Sequence, residues 1–322
     1  MATLSVIGAL KKARSGVGNA GSPRPRPSSN RETKRAFSHS RTFFFFVLPS
    51  LILLLLLNLY PVIYAGLQSL RNGDLLSAGD FVGMHNYVSI VQTPAFWHAT
   101  GFTIVFTLVG VFGSWAIGLA LALLLRTRIP ANGLFKVLLL LPWVVPVVVS
   151  ATSWNWLVAT PQSPLPMLAQ ALGLGNVLFL ADPLLAQVTL CVFKVWISFP
   201  FMMMMMSSAL ASVDINVYEA SRIDGASSWQ IFGGITLPMI SRSTYISWIL
   251  MTIFCVNDFP SVFLLTGGGP VNSTQTLVVL AYSTVFQNFQ TGPGVAIAFI
   301  MTIVLVIIAT MLYRQIRKVN IE

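Results

Sequence analysis

Two ionisable side chains stand inside long apolar runs. Lys194 lies in LCVFKVWISFP and Asp258 in CVNDFPSVF. Lys194 is about ten residues from the nearer end of its run, hence about 15 Å deep at 1.5 Å per residue. A charge at that depth is costly and faces a cavity or a partner. Asp258 follows Asn257 and precedes Phe259 and Pro260. Pro260 cannot donate to the carbonyl of Val256 and strains that turn. A carboxylate, an amide and a broken helix together suggest a polar cavity, the place where discontinuous helices hold a transported solute. Asn155, between Trp154 and Trp156, adds an amide among aromatic faces. That mixture suits a sugar, with its apolar C–H faces and many hydroxyls; tryptophans of an interfacial belt are the other reading. The run around Lys194 also carries Trp196 and Pro200. Asn257, Asp258, Phe259, Lys194, Trp196 and Asn155 are therefore the candidate lining residues. For Lys194 and Asp258 an ion pair is the competing reading, and a pair can open to admit a hydroxylated ligand. A free lysine there would favour an anionic or sulfonated sugar.

Other chemistries find little support. None of His39, His85 and His98 has a partner at the spacing of a nucleophilic site. Cys191 and Cys255 lie in apolar runs and read as small buried hydrophobes rather than a disulfide or a metal site. Met202 to Met206 could suggest soft-metal binding. Successive helical residues point about 100° apart, however, so only Met202 and Met206 share a face, and packing is the expectation. The glycines of Thr266-Gly267-Gly268-Gly269-Pro270 lack the Lys-Ser or Lys-Thr of a phosphate loop, and no G-x-x-x-x-G-K-[ST] occurs. No catalytic residue, metal or cofactor is expected in this chain.

The elements that must position these residues follow from composition. The chain of 322 residues is 55% hydrophobic and only 9% charged, against roughly 25% charged for a soluble domain. An all-α polytopic membrane protein is expected. Six runs are long enough to cross about 30 Å of hydrocarbon, near 43–67, 99–125, 137–159, 184–210, 244–265 and 295–313. The net charge of +10 does not read as a nucleic-acid face: nine of the 19 basic residues precede residue 42, and most others flank the runs. Arg126, Arg128 and Lys136 lie between runs two and three, Arg222 and Arg242 flank the loop between four and five, and Arg314, Arg317 and Lys318 follow run six. The alternate segments 160–183 and 266–294 hold no Lys or Arg. The positive-inside rule then puts both termini and the loop 211–243 in the cytoplasm. Residues 1–42, rich in Pro, Ser and Arg, are expected to be a disordered basic tail that contacts lipid at most, and too long for an ordinary signal-peptide n-region, so no cleavage is expected. Residues 43–322 are expected to form the membrane domain.

The loop 211–243 contains EASRIDGASSWQIFGGITLP, from Glu219 to Pro238. Its start reads as a short helix over Tyr218–Ile223, capped by Asp214 or Asn216. Gly225 can take a positive φ where that helix stops, and Pro238 marks a second boundary. The stretch resembles the EAA loop of ABC importer permeases. That pattern is E-A-A, three residues, G, nine residues, I-x-L-P. It appears as Glu219-Ala220-Ser221, Gly225 and Ile235-Thr236-Leu237-Pro238, with Ser221 for the second alanine. Phe81, Val82, Gly83, Asn86, Tyr87, Pro94, Phe96 and Trp97 are similar to the F-V-G-x-x-N-Y and P-x-F-W pattern of carbohydrate-type members, although Phe102 departs from it. By position, Phe96 and Trp97 belong to an interfacial aromatic belt. Asn257-Asp258-Phe259 followed by Leu265-Thr266-Gly267-Gly268-Gly269-Pro270 resembles the N-N-F or N-D-F element and L-T-x-G-G-P of maltose-type permeases. The segment PQSPLPMLAQALGLG departs from the G-x-x-N that many relatives show.

The resemblance implies a permease subunit of a type I bacterial ABC importer for a carbohydrate, multi-pass in the inner membrane. It implies three kinds of protein partner: a dimer of ATP-binding subunits that holds the ATP and magnesium, a second homologous permease, and an extracytoplasmic solute-binding protein. Tyr218, Glu219, Ala220, Ser221, Arg222, Asp224 and Gly225 would couple to the ATPase, with Glu219 favoured near the helix N-terminus by the dipole. Relatives line the translocation site with the Asn257–Asp258 element. The alternatives are a permease of the same class for an amino acid or phosphate, and a secondary transporter. The latter would need coupling-ion carboxylates and a repeated half, of which only Asp258 is evident.

Overall fold

The computed structural model describes residues 30–319, apart from 78, 128 and 129, with side chains from 45 to 316. Two units divide the chain, Met1–Pro61 and Val62–Glu322. The described part of the first lies in helix α1 (Asn30–Ser69), which holds Pro49 and Pro61. Its apolar side chains, Phe45, Leu53 and Leu57 among them, are exposed. The helix thus starts inside the stretch expected to be a disordered tail, because Arg, Lys, Glu and Ala are good helix formers and a formed apolar helix propagates back through them. The rest of that expected tail, residues 1–29, lies outside the described residues.

The second unit is built from helices, with no named strand among the described residues. After α2 (His85–Val91) come α3 (Pro94–Leu108) and α4 (Ser114–Leu124), joined by a π-turn at Val109–Gly113. Then follow α5 (Asn132–Val144), α6 (Val147–Val158), α7 (Pro164–Ala171) and α8 (Pro183–Ala211). A short α9 (Ile215–Ile223) precedes α10 (Ser228–Ile231) and α11 (Leu237–Val256), themselves joined by a π-turn. The last are α12 (Phe259–Leu265), α13 (Leu277–Tyr282) and α14 (Thr291–Val319). Among the described residues, five spans are long and apolar enough to cross a membrane, and six when α5 and α6 count as one. The all-helical expectation holds.

The prolines act differently from one another. The α5 and α6 axes are 91° apart, because Val145 and Pro146 are extended at ψ 131° and 133°. A residue before proline is pushed out of the helical region, so Pro146 breaks the span while Pro142 stays helical. Pro238 is not the boundary that the sequence suggested. Helix runs through it from Ser228 to Val256, and the π-turn Phe232–Thr236 just before it re-spaces the carbonyls. Pro260 sits in the first turn of α12, where no donor is needed.

The core forms where α3–α4, α8 and α11 meet. Phe106, Leu190, Phe193, Met202, Met206 and Met251 are fully buried there. Gly118 allows a close approach of α4 to α8: a Cβ would stand 2.7 Å from both Met202 Cβ and the Met203 backbone nitrogen. Met202 and Met206 share the buried face, while Met204 is exposed. Phe96, expected in an interfacial belt, is instead buried with Ile90, Ala281 and Ala296, because it faces inward from the first turn of α3; Trp97 stays exposed. Buried Asn86 donates to the carbonyls of Ser69 and Arg71, both at 2.8 Å. It thereby satisfies the end of α1.

Candidate functional site

Lys194 and Asp258 meet. Lys194 Nζ lies 2.6 Å from Asp258 Oδ2, and the two side chains are only 6% and 9% exposed. The lysine rises from the middle of α8, and its stem passes Gly110 of the π-turn, where a Cβ would come within 3.1 Å of Lys194 Cγ. Its ammonium stands 5.8 Å from the Phe106 ring centroid. Asp258 lies in the gap between α11 and α12. Its other oxygen, Oδ1, accepts from the Ser261 backbone N–H at 3.0 Å and caps α12. One carboxylate thus starts a helix and neutralises a buried cation.

The other candidate residues arrange themselves around this pair in different ways. Asn257 is exposed and donates to the Ile253 carbonyl of its own helix at 2.9 Å. Phe259 stacks on Phe263 at 4.7 Å and packs on Tyr282 at 4.6 Å. Tyr282 continues to Phe286 at 5.0 Å. These four rings make a strip across α12, α13 and the π-turn that follows. Phe263, Tyr282 and Phe286 are functional candidates that the sequence reading missed; the i, i+4 spacing of Phe259–Phe263 and Tyr282–Phe286 was the available signal. Trp196 packs on Trp154 at 5.5 Å, and Trp154 meets Phe193 at 5.4 Å. Asn155 donates to the Leu265 carbonyl at 3.5 Å, a long bond that serves the last turn of α12. Asn155 therefore serves the far end of α12 and Trp196 joins an aromatic cluster with Trp154 and Phe193, while Lys194 and Asp258 sit at the break.

A second candidate region is the loop between α8 and α10. Asp214 caps α9 by accepting from the Asn216 N–H at 2.9 Å. The helix ends in a Schellman motif: Ala226 N–H donates to the Ser221 carbonyl at 3.0 Å and Gly225 N–H to the Arg222 carbonyl at 3.1 Å. Gly225 takes φ +79° there, the left-handed conformation that the motif requires. A capping box follows at once. Ser227 N–H donates to Gln230 Oε1 at 2.8 Å, and Gln230 N–H to Ser227 Oγ at 3.4 Å. The candidate coupling residues divide between two faces. Tyr218 and Ser221 are buried, with the Arg126 guanidinium 4.6 Å over the Tyr218 ring. Glu219, Ala220, Arg222, Asp224 and Gly225 are exposed. Ile223 and Trp229, 86% and 83% exposed, add apolar surface to that side of the loop. Trp229 was not among the candidate coupling residues read from the sequence.

The chain matches known proteins over most of its length. It is 30% identical over 292 residues to the trehalose/maltose transport system permease protein MalF of Thermococcus litoralis, covering 90% of this chain and 98% of the relative. It is 30% identical to the sulfoquinovosyl glycerol transport system permease protein SmoG of Agrobacterium fabrum, covering 79% and 83%. It is 29% identical to the trehalose transport system permease protein SugA of Mycobacterium tuberculosis, covering 84% and 86%. Its fold resembles a chain of a bacterial ABC transporter involved in the import of the acidic polysaccharide alginate, with TM-score 0.77 at 18% identity over 89% of this chain and 99% of that one. The profile of the family described as "Binding-protein-dependent transport system inner membrane component" covers residues 29–320, and the chain belongs to that family.

Proposed function

We propose that the chain is the permease subunit of an ATP-driven importer for a carbohydrate or a related polyhydroxylated solute. The observation that carries this reading is the capped helix α9, which stands between two spans with Glu219, Arg222 and Ile223 exposed, in a chain aligned almost end to end with a trehalose/maltose permease. In this reading both termini and the loop face the cytoplasm. The exposed side of α9 docks on an ATP-binding subunit that supplies the hydrolysis, and this chain performs no catalysis. A second permease completes the pathway, and an extracytoplasmic binding protein delivers the solute. Closure of the ATPase dimer moves α9 and the spans attached to it, so a solute pathway passing Asn257, Asp258 and Phe259 opens to alternate sides. The strip from Phe259 to Phe286 offers ring faces to sugar C–H groups, and Asn257 offers an amide to hydroxyls.

The test is purification of the tagged chain from its host in mild detergent. An ATP-binding subunit and a second six-span chain are expected with it. Gly225→Pro, which cannot take φ +79°, is expected to insert normally, lose the ATPase and abolish uptake. Normal uptake by a well-expressed Gly225→Pro variant would refute docking through α9.

A further inference from the structure

Lys, Arg, Asp and Glu are scarce in the described spans: Lys136, Lys194, Arg242, Asp258 at the break, and Arg314. Lys136, Arg242 and Arg314 are exposed. Lys194 is buried and Asp258 largely covered, their side chains 6% and 9% exposed, and they neutralise each other at 2.6 Å. Among the described residues, the deep part of the chain therefore offers a solute no spare charge. From this we infer that the transported solute is uncharged, and that the Lys194–Asp258 pair is the specificity determinant that excludes acidic solutes.

The exclusion follows from how Asp258 is held. A carboxylate or sulfonate on the solute could gain Lys194 only by displacing Asp258. Asp258 cannot retreat, because Oδ1 is fixed by the Ser261 N–H at the start of α12. The incoming anion would then stand beside a second anion in a poorly hydrated site, where like charges repel strongly. A neutral hydroxylated solute meets no such repulsion. It can donate hydroxyls to the outer lone pairs of Asp258 while the ion pair stays intact. The sequence alone allowed the opposite reading, a free lysine that selects anionic sugars.

The inference rests on the sugar-import reading, and the experiment separates the two. The assembled importer, with its ATPase and second permease, is placed in nanodiscs, and binding of labelled trehalose is measured directly, without the binding protein. Unlabelled trehalose and its 6-carboxylate analogue compete. For the native chain the carboxylate is expected to compete more weakly by on the order of tenfold or more. Asp258→Asn keeps a capping oxygen for Ser261 but removes the negative charge. It is expected to improve competition by the carboxylate by about tenfold. Adding Lys194→Met to Asp258→Asn is expected to abolish that gain. Equal competition by both sugars with the native chain would overturn the inference without any variant. So would an Asp258→Asn protein whose preference is unchanged. Absence of trehalose binding, together with absence of ATP-driven uptake of any sugar, would remove the sugar-import reading itself, and this inference with it.

Discussion

At the scale of single residues, Asp258 carries more than its share. Its two oxygens serve different elements, Oδ2 toward Lys194 on α8 and Oδ1 toward the first turn of α12. Removing one partner of a buried pair strands the other charge, at a cost of about 3–5 kcal/mol. Lys194→Met alone is therefore expected to lower the melting temperature in detergent sharply, with the double Lys194→Met/Asp258→Asn variant recovering most of the loss. Equal losses in the single and double variants would show that the charges are not coupled. The types and depths of both residues were legible in the sequence. A pair between them could be named as one of two readings but not decided, because 64 residues separate them and nothing local fixes the rotation of α8 against the break.

At the scale of elements, the loop between α8 and α10 is held by its two ends. The Schellman motif at Gly225 and the capping box at Ser227–Gln230 lie back to back, so α9 leaves the loop in one direction. A Cβ at Gly225 would meet open space, which isolates the backbone term: Gly225→Ala at φ +79° costs about 1–2 kcal/mol. Amide exchange over Ile223–Ser227 is expected to speed up by roughly tenfold or more, with the spans unaffected. Unchanged exchange would show that the loop is fixed by packing instead. The helix, its cap and the glycine could be read from Asp214, Glu219 and Gly225. The continuation of helix through Pro238 could not, because it depends on the π-turn at Phe232–Thr236.

At the scale of the whole molecule, the close approach of α4 to α8 sets the core. Gly118 has no room for a side chain beside the Met203 backbone nitrogen. Gly118→Val is expected to force the two helices apart at a cost of about 1–3 kcal/mol or more. A reduced monodisperse fraction by size-exclusion chromatography checks this, and an unchanged profile and melting temperature would show that α8 can move freely. The pairing of Lys194 with Asp258 depends on the same approach, since Gly110 gives way to the lysine stem one face along. Loss of the pair is thus expected to follow loss of the glycine contacts.

The sequence by itself determined the class of molecule, since hydrocarbon about 30 Å thick demands apolar runs of fixed length, and six such runs are countable without coordinates. It also determined the family, through Glu219, Gly225 and Pro238 at their spacing, now matched over residues 29–320. Only the tertiary structure decided which proline breaks the third span, since Pro142 and Pro146 look alike in sequence and differ in whether the preceding residue is held helical. It alone joined the rings of Phe259, Phe263, Tyr282 and Phe286 from separate elements, and decided for the ion pair between the two readings that the sequence left open for Lys194 and Asp258. The division has a physical cause. Transfer free energy and capping act within one segment and are written locally, whereas side-chain partners depend on the rotation and depth at which segments pack, which no single segment encodes.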